Sequence, residues 1–509
     1  MRINQFEFVQ KESSPFGRVI IVGMMEDGPT GAPFRLLEER NARFLLGDNE
    51  VSRAYEHLIN NGIEKENIVL FRLNGEPSYF QLDVIWDTSI ILQSLTSSSW
   101  DNDIHVRVNG LGLTVKSNYS EELLETGARK NFSRTYDFNE YGYTSDLSEA
   151  ITKDAMLGLH NVIARDENIY PSQLITMNED DFFFDGGKTE SNLTVKDGLF
   201  KDSFDKEKPK LLDSYWQRFY YHLLGNDFDG ETTGKLLDIS AEAIYFPDVF
   251  VDDIPELAIL AGRIAKEKTE SQDVLCSALF RTSIVPEKET TEHKLFIEKL
   301  DNLFSLEEHG FQEMKNVQIV VGEDYSAYRE IIPGATHHLV NLLNKELIPT
   351  TNKELVNFHE VKTPLDKDVI DKLSSKGYIC IVESIRRNVV TSKVQSMYSD
   401  GLRTDVFYHN KILSYIKHDI RNMLDVFIGS NLTMYNLVSV EDQINEYLQQ
   451  YIDARFIESF TLGERVSDEI GYSSNIAIEL KLFGETERIK GSMKLNESGW
   501  EVDLWTTID

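Results

Sequence analysis

The sequence predicts a multidomain protein of mixed α/β class, with α/β and α+β character together. Three observations carry that expectation. Near the N-terminus a buried-strand pattern, a turn-rich loop, an amphipathic helix and a second buried strand follow one another, the order of an α/β unit. The pattern returns in the second half, after a stretch of short alternating segments set among Ser, Asn, Asp and Gly. The chain has 509 residues, too many for one compact core, so about two to four domains are expected.

Residues 1–17 alternate weakly through Ile3, Phe6 and Phe8 and break at Pro15 and Gly17, the texture of an extended arm. Arg18-Val19-Ile20-Ile21-Val22-Gly23 is an apolar run stopped by glycine, as in a strand buried on both faces. A turn-rich loop, Glu26 to Pro33, follows. The helix expected over Asn49–Asn61 puts Val51, Ala54, Tyr55 and Leu58 on one face and stops at Gly62. Ile68–Leu73 is a second buried strand, so residues 18–94 read as the first part of an α/β core.

Residues 95–205, with strand patterns at Ile104–Val108, Leu111–Val115 and Leu193–Val195, read as a β-rich inserted outer domain. The α/β pattern resumes over 206–335. It contains a helix at Leu211–Leu224, a strand at Ala243–Val249, a helix at Pro255–Lys268 that Pro255 can start, and strands at Asp273–Phe280 and Val317–Val321. Residues 336–495 form a C-terminal core domain. Its helix Asp366–Lys376 is closed by Gly377 and followed by a strand at Tyr378–Val382. A long helix over Val406–Phe427 has Ile412, Tyr415, Ile416 and Ile420 on its apolar face, and a further helix spans Val440–Ala454. Ile476, Ile478, Leu480 and Leu482 alternate as in a half-buried strand. Residues 496–509 end the chain on another strand, with Trp500, Val502 and Leu504 alternating. No repeat of solenoid period occurs.

Acidic residues outnumber basic ones 85 to 52, a formal charge of −33. Such a field repels phosphate backbones and anionic membranes, so no direct nucleic-acid partner is expected. The N-terminal residues lack the apolar core of a secretory signal, and no window approaches the ~18 apolar residues of a spanning helix. The expectation is a soluble protein made in the cytoplasm, with no membrane insertion. Cys276 and Cys380 lie far apart in apolar stretches and read as buried free thiols.

Motifs that carry chemistry fail on their own spacing. Asp185-Gly186-Gly187-Lys188-Thr189 has Phe182 where a phosphate loop needs glycine, and reads as a turn. Gly110-Leu111-Gly112 has Val115 where a dinucleotide fingerprint needs its third glycine, and reads as a β-turn. Asn226-Asp227-Phe228-Asp229-Gly230 lacks the remaining oxygen ligands of a calcium loop. Adjacent His337 and His338 have no metal-binding context and point in different directions on a helix. No nucleophile elbow is present. No catalytic, cofactor or metal site is expected, and the chain reads as a non-enzyme.

One charge feature stands out. Between Arg386 and Arg421 lie seven basic residues (Arg386, Arg387, Lys393, Arg403, Lys411, Lys417 and Arg421) against three acidic ones, a local excess of +4 in a strongly acidic chain. Solvated helix faces with internal ion pairs account for it; so does an interface presented to an acidic neighbour.

The N-terminal block of Val19–Gly23, the Glu-Asp-Gly-Pro turn, the helix ending in Asn60-Asn61-Gly62 and the strand Val69-Leu70-Phe71-Arg72-Leu73 resembles the N-terminal segment of contractile phage tail sheath proteins. So does a C-terminal block. Leu373–Val382 leads into Glu383-Ser384-Ile385-Arg386-Arg387-Asn388, then into the helix through Tyr415-Ile416-Lys417-His418-Asp419-Ile420-Arg421 and a terminal β segment. Together the blocks cover somewhat under half of the chain.

The resemblance implies an α/β core built from the N- and C-terminal parts, with inserted β-rich and α/β domains, the latter of subtilisin-like topology without a catalytic triad. It implies a virion tail protein assembled in the host cytoplasm. Such a protein polymerises helically around a tail tube and contracts to drive the tube through the host envelope. Copies would join by strand exchange through terminal arms, here Ile3, Phe6 and Phe8 at one end and Trp500, Val502 and Leu504 at the other. The segment from Arg386 to Arg421 would face the tail tube protein, and baseplate and tail terminator proteins would be further partners. The alternatives are a sheath-terminator or baseplate-proximal ring subunit, and an α/β enzyme binding a small ligand near Gly23–Gly31.

Overall fold

The computed structural model describes residues 6–8, 16–29, 32–37, 42–73, 75, 78–85, 87–94, 102–117, 132–154, 159–163, 169–177, 183–184, 236, 239–253, 255–272, 274–303, 311–326, 331–343, 358–383, 389–391, 397, 407–425, 434–462, 466–467, 474–482, 488–496 and 499–507. The chain is mixed α/β and multidomain. It divides into two compact units: unit 1 comprises Met1–Ser14 and Arg18–Ile254, and unit 2 comprises Pro15–Gly17 and Pro255–Asp509.

In unit 1, strands β1 (Phe6–Phe8), β2 (Val19–Gly23), β3 (Pro33–Leu36), β4 (Ile68–Arg72) and β11 (Ala243–Phe250) lie in the order β1-β3-β4-β2-β11. β2 runs parallel to β4, Val19 opposite Ile68 through Gly23 opposite Arg72, and parallel to β11. Every residue of β2 and β4 is buried, which is why both read as unbroken apolar runs. After α1 (Ala42–Leu46), helix α2 (Glu50–Asn60) buries Val51, Ala54, Tyr55 and Leu58. It starts on a reciprocal cap: the Asn49 side chain accepts from Ser52 N–H, and the Ser52 hydroxyl accepts from Asn49 N–H. It ends where Gly62 N–H meets the Ile59 carbonyl and Ile63 N–H meets the Leu58 carbonyl, with Gly62 at φ +85°.

The rest of unit 1 is β-rich. β5 (Tyr79–Val84), β6 (Asp87–Ser94) and β10 (Leu159–Ile163) form one antiparallel sheet; β7 (Ile104–Asn109), β8 (Gly112–Ser117) and β9 (Phe132–Asp137) form another. The two share a core that includes Leu82, Ile90 and Leu92 from the first sheet and Val106, Val115 and Tyr136 from the second, closed by Leu147 and Ile151 of α3 (Thr144–Lys153). The β-rich part therefore begins at β5, among residues that the sequence groups with the first α/β part. Gly110 and Leu111 make the two-residue turn between β7 and β8, where the Asn109 side chain accepts from Leu111 N–H and Gly112 N–H. Leu193–Val195 and Leu211–Leu224 lie outside the described residues.

Unit 2 repeats the α/β theme. β12 (Ser277–Arg281), β13 (Val317–Val321) and β17 (Ile379–Glu383) are parallel, and β18 (Val389–Thr391) joins β17 antiparallel. The helices α4 (Pro255–Gln272), α5 (Thr291–Asn302), α6 (Gly334–Leu343) and α7 (Lys367–Ser375) accompany them. A small sheet pairs β14 (Glu323–Ser326) with β15 (Ile331–Pro333) and β16 (Phe358–Val361). The chain closes with α8 (Phe407–Asp425), α9 (Met434–Asp453) and an antiparallel sheet ordered β19-β21-β22-β23, with β20 (Val466–Ser467) beside β21. Its strands are β19 (Ile457–Leu462), β21 (Ser474–Leu482), β22 (Arg488–Asn496) and β23 (Gly499–Thr507). Ile412, Ile416 and Ile420 of α8 meet Ile444 and Leu448 of α9 and Ile457, Ile478 and Leu480 of this sheet in one core. Among the described residues no helix is long and apolar enough to cross a membrane.

Candidate functional site

The sequence points to assembly surfaces at the two ends of the chain and along the basic segment. At the N-terminal end β1 pairs antiparallel with β3, placing Phe6 opposite Leu36, Glu7 opposite Arg35 and Phe8 opposite Phe34. Phe6 and Phe8 share one face of the strand because strand periodicity is two. β1 is the last strand on its side of the unit 1 sheet, so one of its edges meets no described strand. Ile3 lies outside the described residues. β4, which supports β3, ends on fully buried Arg72. Its guanidinium donates to the Gly28 carbonyl at 2.8 Å and the Glu26 carbonyl at 3.2 Å. Beside it Met24 N–H donates to the Asp248 carboxylate at 2.8 Å. The loop after β2, the place where a small ligand was an alternative, is thus folded onto the side chains of its own sheet.

At the C-terminal end β23 pairs with β22 over its whole length, from Arg488 opposite Thr507 to Asn496 opposite Gly499. Trp500, Val502 and Leu504 fall on one face, at register positions facing Leu495, Met493 and Gly491. Both terminal strands are therefore bonded within the chain, each as the outermost member of its sheet among the described residues.

The basic segment divides. Arg386, Arg387, Lys393 and Arg403 lie outside the described residues. Lys411 is buried: its ammonium donates to the Leu342 carbonyl at 2.6 Å and lies 5.5 Å from the Tyr415 ring centre. It is an internal group that satisfies a carbonyl in the last turn of α6. Lys417 is half-buried and Arg421 exposed on α8. Asp419 on the same helix accepts from the Tyr447 hydroxyl, which Tyr451 contacts in turn at 2.8 Å. Burial, with the neighbouring Tyr451 and Asp419, holds the Tyr447 phenol far above its ordinary range, and burial pushes Tyr451 up to about 12. Both stay neutral, and the Tyr447 hydroxyl ties α9 to Asp419 of α8.

Phe16, inside the predicted arm, packs its ring 4.2 Å from Tyr415 and 5.0 Å from His418. Its signal in the sequence was an aromatic residue between two chain breakers, Pro15 and Gly17. His337 and His338 are both buried in α6, and His338 Nε2 lies 2.9 Å from the Gln318 side-chain oxygen. Cys276 and Cys380 are buried thiols that are not joined in a disulfide. Among the described residues no group of three or more His, Cys, Asp and Glu could hold a metal ion. The Asp185–Thr189 and Asn226–Gly230 loops lie outside the described residues.

No family model and no curated protein matches the sequence. Solved structures do match the fold. A sheath tail protein from Listeria innocua superposes with a TM-score of 0.54 at 12% identity, over 97% of this chain and 96% of that one. A sheath tail protein from Desulfitobacterium hafniense gives a TM-score of 0.50 at 10% identity, over 96% of this chain and 98% of that one. Over nearly all of its length, this chain has the fold of the sheath tail proteins.

Proposed function

We propose that this chain is the structural subunit of a contractile tail sheath. It polymerises helically around a tail tube and contracts to drive the tube through a host envelope. The observation that carries this reading is the fold match over 97% of this chain and 96% of the Listeria innocua sheath tail protein. The terminal strands supply a means of joining. β1 and β23 are outermost strands, and a strand added in trans forms the same main-chain hydrogen bonds as one paired in cis. Exchange of β23 between neighbours, leaving one β22 for the next, therefore costs little in bonding. Contacts of this head-to-tail kind build open helical arrays instead of closed dimers.

The basic residues Arg386, Arg387, Lys393 and Arg403, with Lys417 and Arg421, are the surface assigned to an acidic tail tube protein; Lys411 is left out because it is spent inside unit 2. Baseplate and terminator proteins would meet the strand edges left at the two ends of the polymer.

Negative-stain images of the purified full chain test the reading. Long tubes or contracted helices are expected, closed rings would favour the terminator or baseplate-proximal role, and monodisperse monomer at high concentration overturns it. Deleting residues 1–15 or 497–509 should abolish polymers. Polymers that persist unchanged would sink the strand-exchange mechanism.

A further inference from the structure

We propose that Phe16 is a releasable anchor for the root of the N-terminal arm. Phe16 clusters with Pro15 and Gly17 in unit 2, whereas β1 before it and β2 after it belong to unit 1. Its ring lies 5.0 Å from the His418 imidazole at 90°, the edge-to-face geometry that aromatic pairs favour, and in close tilted contact with Tyr415, 4.2 Å between ring centres at 45°. Tyr415 and His418 are three residues apart on α8 and so share one face.

The seat is built. His418 Nδ1 lies 3.2 Å from the Gln272 carbonyl, which accepts only, so the proton is on Nδ1 and the ring orientation is set. Gln272 ends α4, and its carbonyl is one of those a helix leaves without an internal partner. Below Tyr415 the seat continues into the core of Val274, Ile412 and Ile416.

Two features make the anchor releasable. Phe16 is only half-buried, and it is joined to β2 through Gly17, which turns the chain at φ +71°. The first registered pair of β2 is Val19 with Ile68, so lifting Phe16 breaks no strand pairing. Arg18 stays in unit 1, where its carbonyl accepts from Glu242 N–H and its guanidinium donates to the Ser240 carbonyl; freed, residues 16 and 17 add about 7 Å of extended chain to the arm. In a polymer joined through that arm, docking and release of Phe16 would set two link lengths between neighbouring copies. This use rests on the sheath-subunit reading; the docking itself does not.

Hydrogen exchange at the amides of residues 16 and 17 tests it on the full chain. Phe16→Ala should raise their exchange at least tenfold, Phe16→Tyr should keep the wild-type protection, and His418→Ala should give a smaller rise. The same exchange in Phe16→Ala and wild type overturns the anchor. In wild-type polymers, protection should be lost in either the extended or the contracted form; equal protection in monomer and both forms overturns release. A wild-type chain that shows the Phe16→Ala difference but never polymerises would keep the anchor and remove the sheath reading.

Discussion

Arg72 and His338 show how buried polar groups shape each unit. Arg72 is wholly buried and spends both guanidinium arms on the carbonyls of Glu26 and Gly28. A lysine keeps the charge but has a single ammonium and no planar fork, so it cannot serve both. Arg72→Lys should cost about 2–4 kcal/mol, read as a lower denaturant midpoint with an unchanged slope. His338 is fully buried, and burial holds its imidazole pKa down from 6.5 to about 4. His57 is lowered to about 4 by the same cause, while Asn61 lies 3.1 Å from its Nε2. Between those values the unfolded chain binds protons that the folded chain refuses. Stability is therefore complete above the unfolded value of about 6.5 and falls as pH drops toward 4, by on the order of 3 kcal/mol for His338. Urea titrations at neutral pH and near pH 4.5 should show this loss, and His338→Gln should make it smaller.

At the scale of elements, local signals and distant partners contribute differently. Helix α2 is specified locally, by the Asn49–Ser52 cap at one end and Gly62 at the other. An added Cβ at Gly62 meets nothing within 4 Å, so Gly62→Ala pays only for the left-handed backbone, about 1 kcal/mol. Asn49→Ala should cost a similar ~1 kcal/mol through loss of the cap. Both are measurable as small downward shifts in thermal midpoint. The terminal strands are the opposite case. Their alternating residues mark them as strands, yet nothing local says that β23 joins β22 or that β1 joins β3. Lys411 shows the same limit, for its place in a basic run suggests a surface and its ammonium instead closes the end of α6.

For the whole molecule, the charge of −33 opposes bringing copies together. Salt screens that repulsion, so self-assembly followed by light scattering should accelerate as ionic strength rises. Binding of a tail tube protein through the basic segment should respond with the opposite sign. A common salt dependence for the two would count against the tube-facing assignment.

Much of the α/β framework was legible before any coordinates. Val317–Val321 and Ile68–Leu73 are apolar runs that announce a buried strand, and Pro255, Gly62 and Gly377 mark helix ends by their own backbone limits. Hydrophobic periodicity states which face of an element is buried. It does not state against what, because the partner is chosen by free energy summed over residues far apart in the chain. Hence the tertiary structure alone decided that β5 and β6 share a core with β7–β9, that Phe16 sits on Tyr415, and that both terminal strands close sheets within the chain.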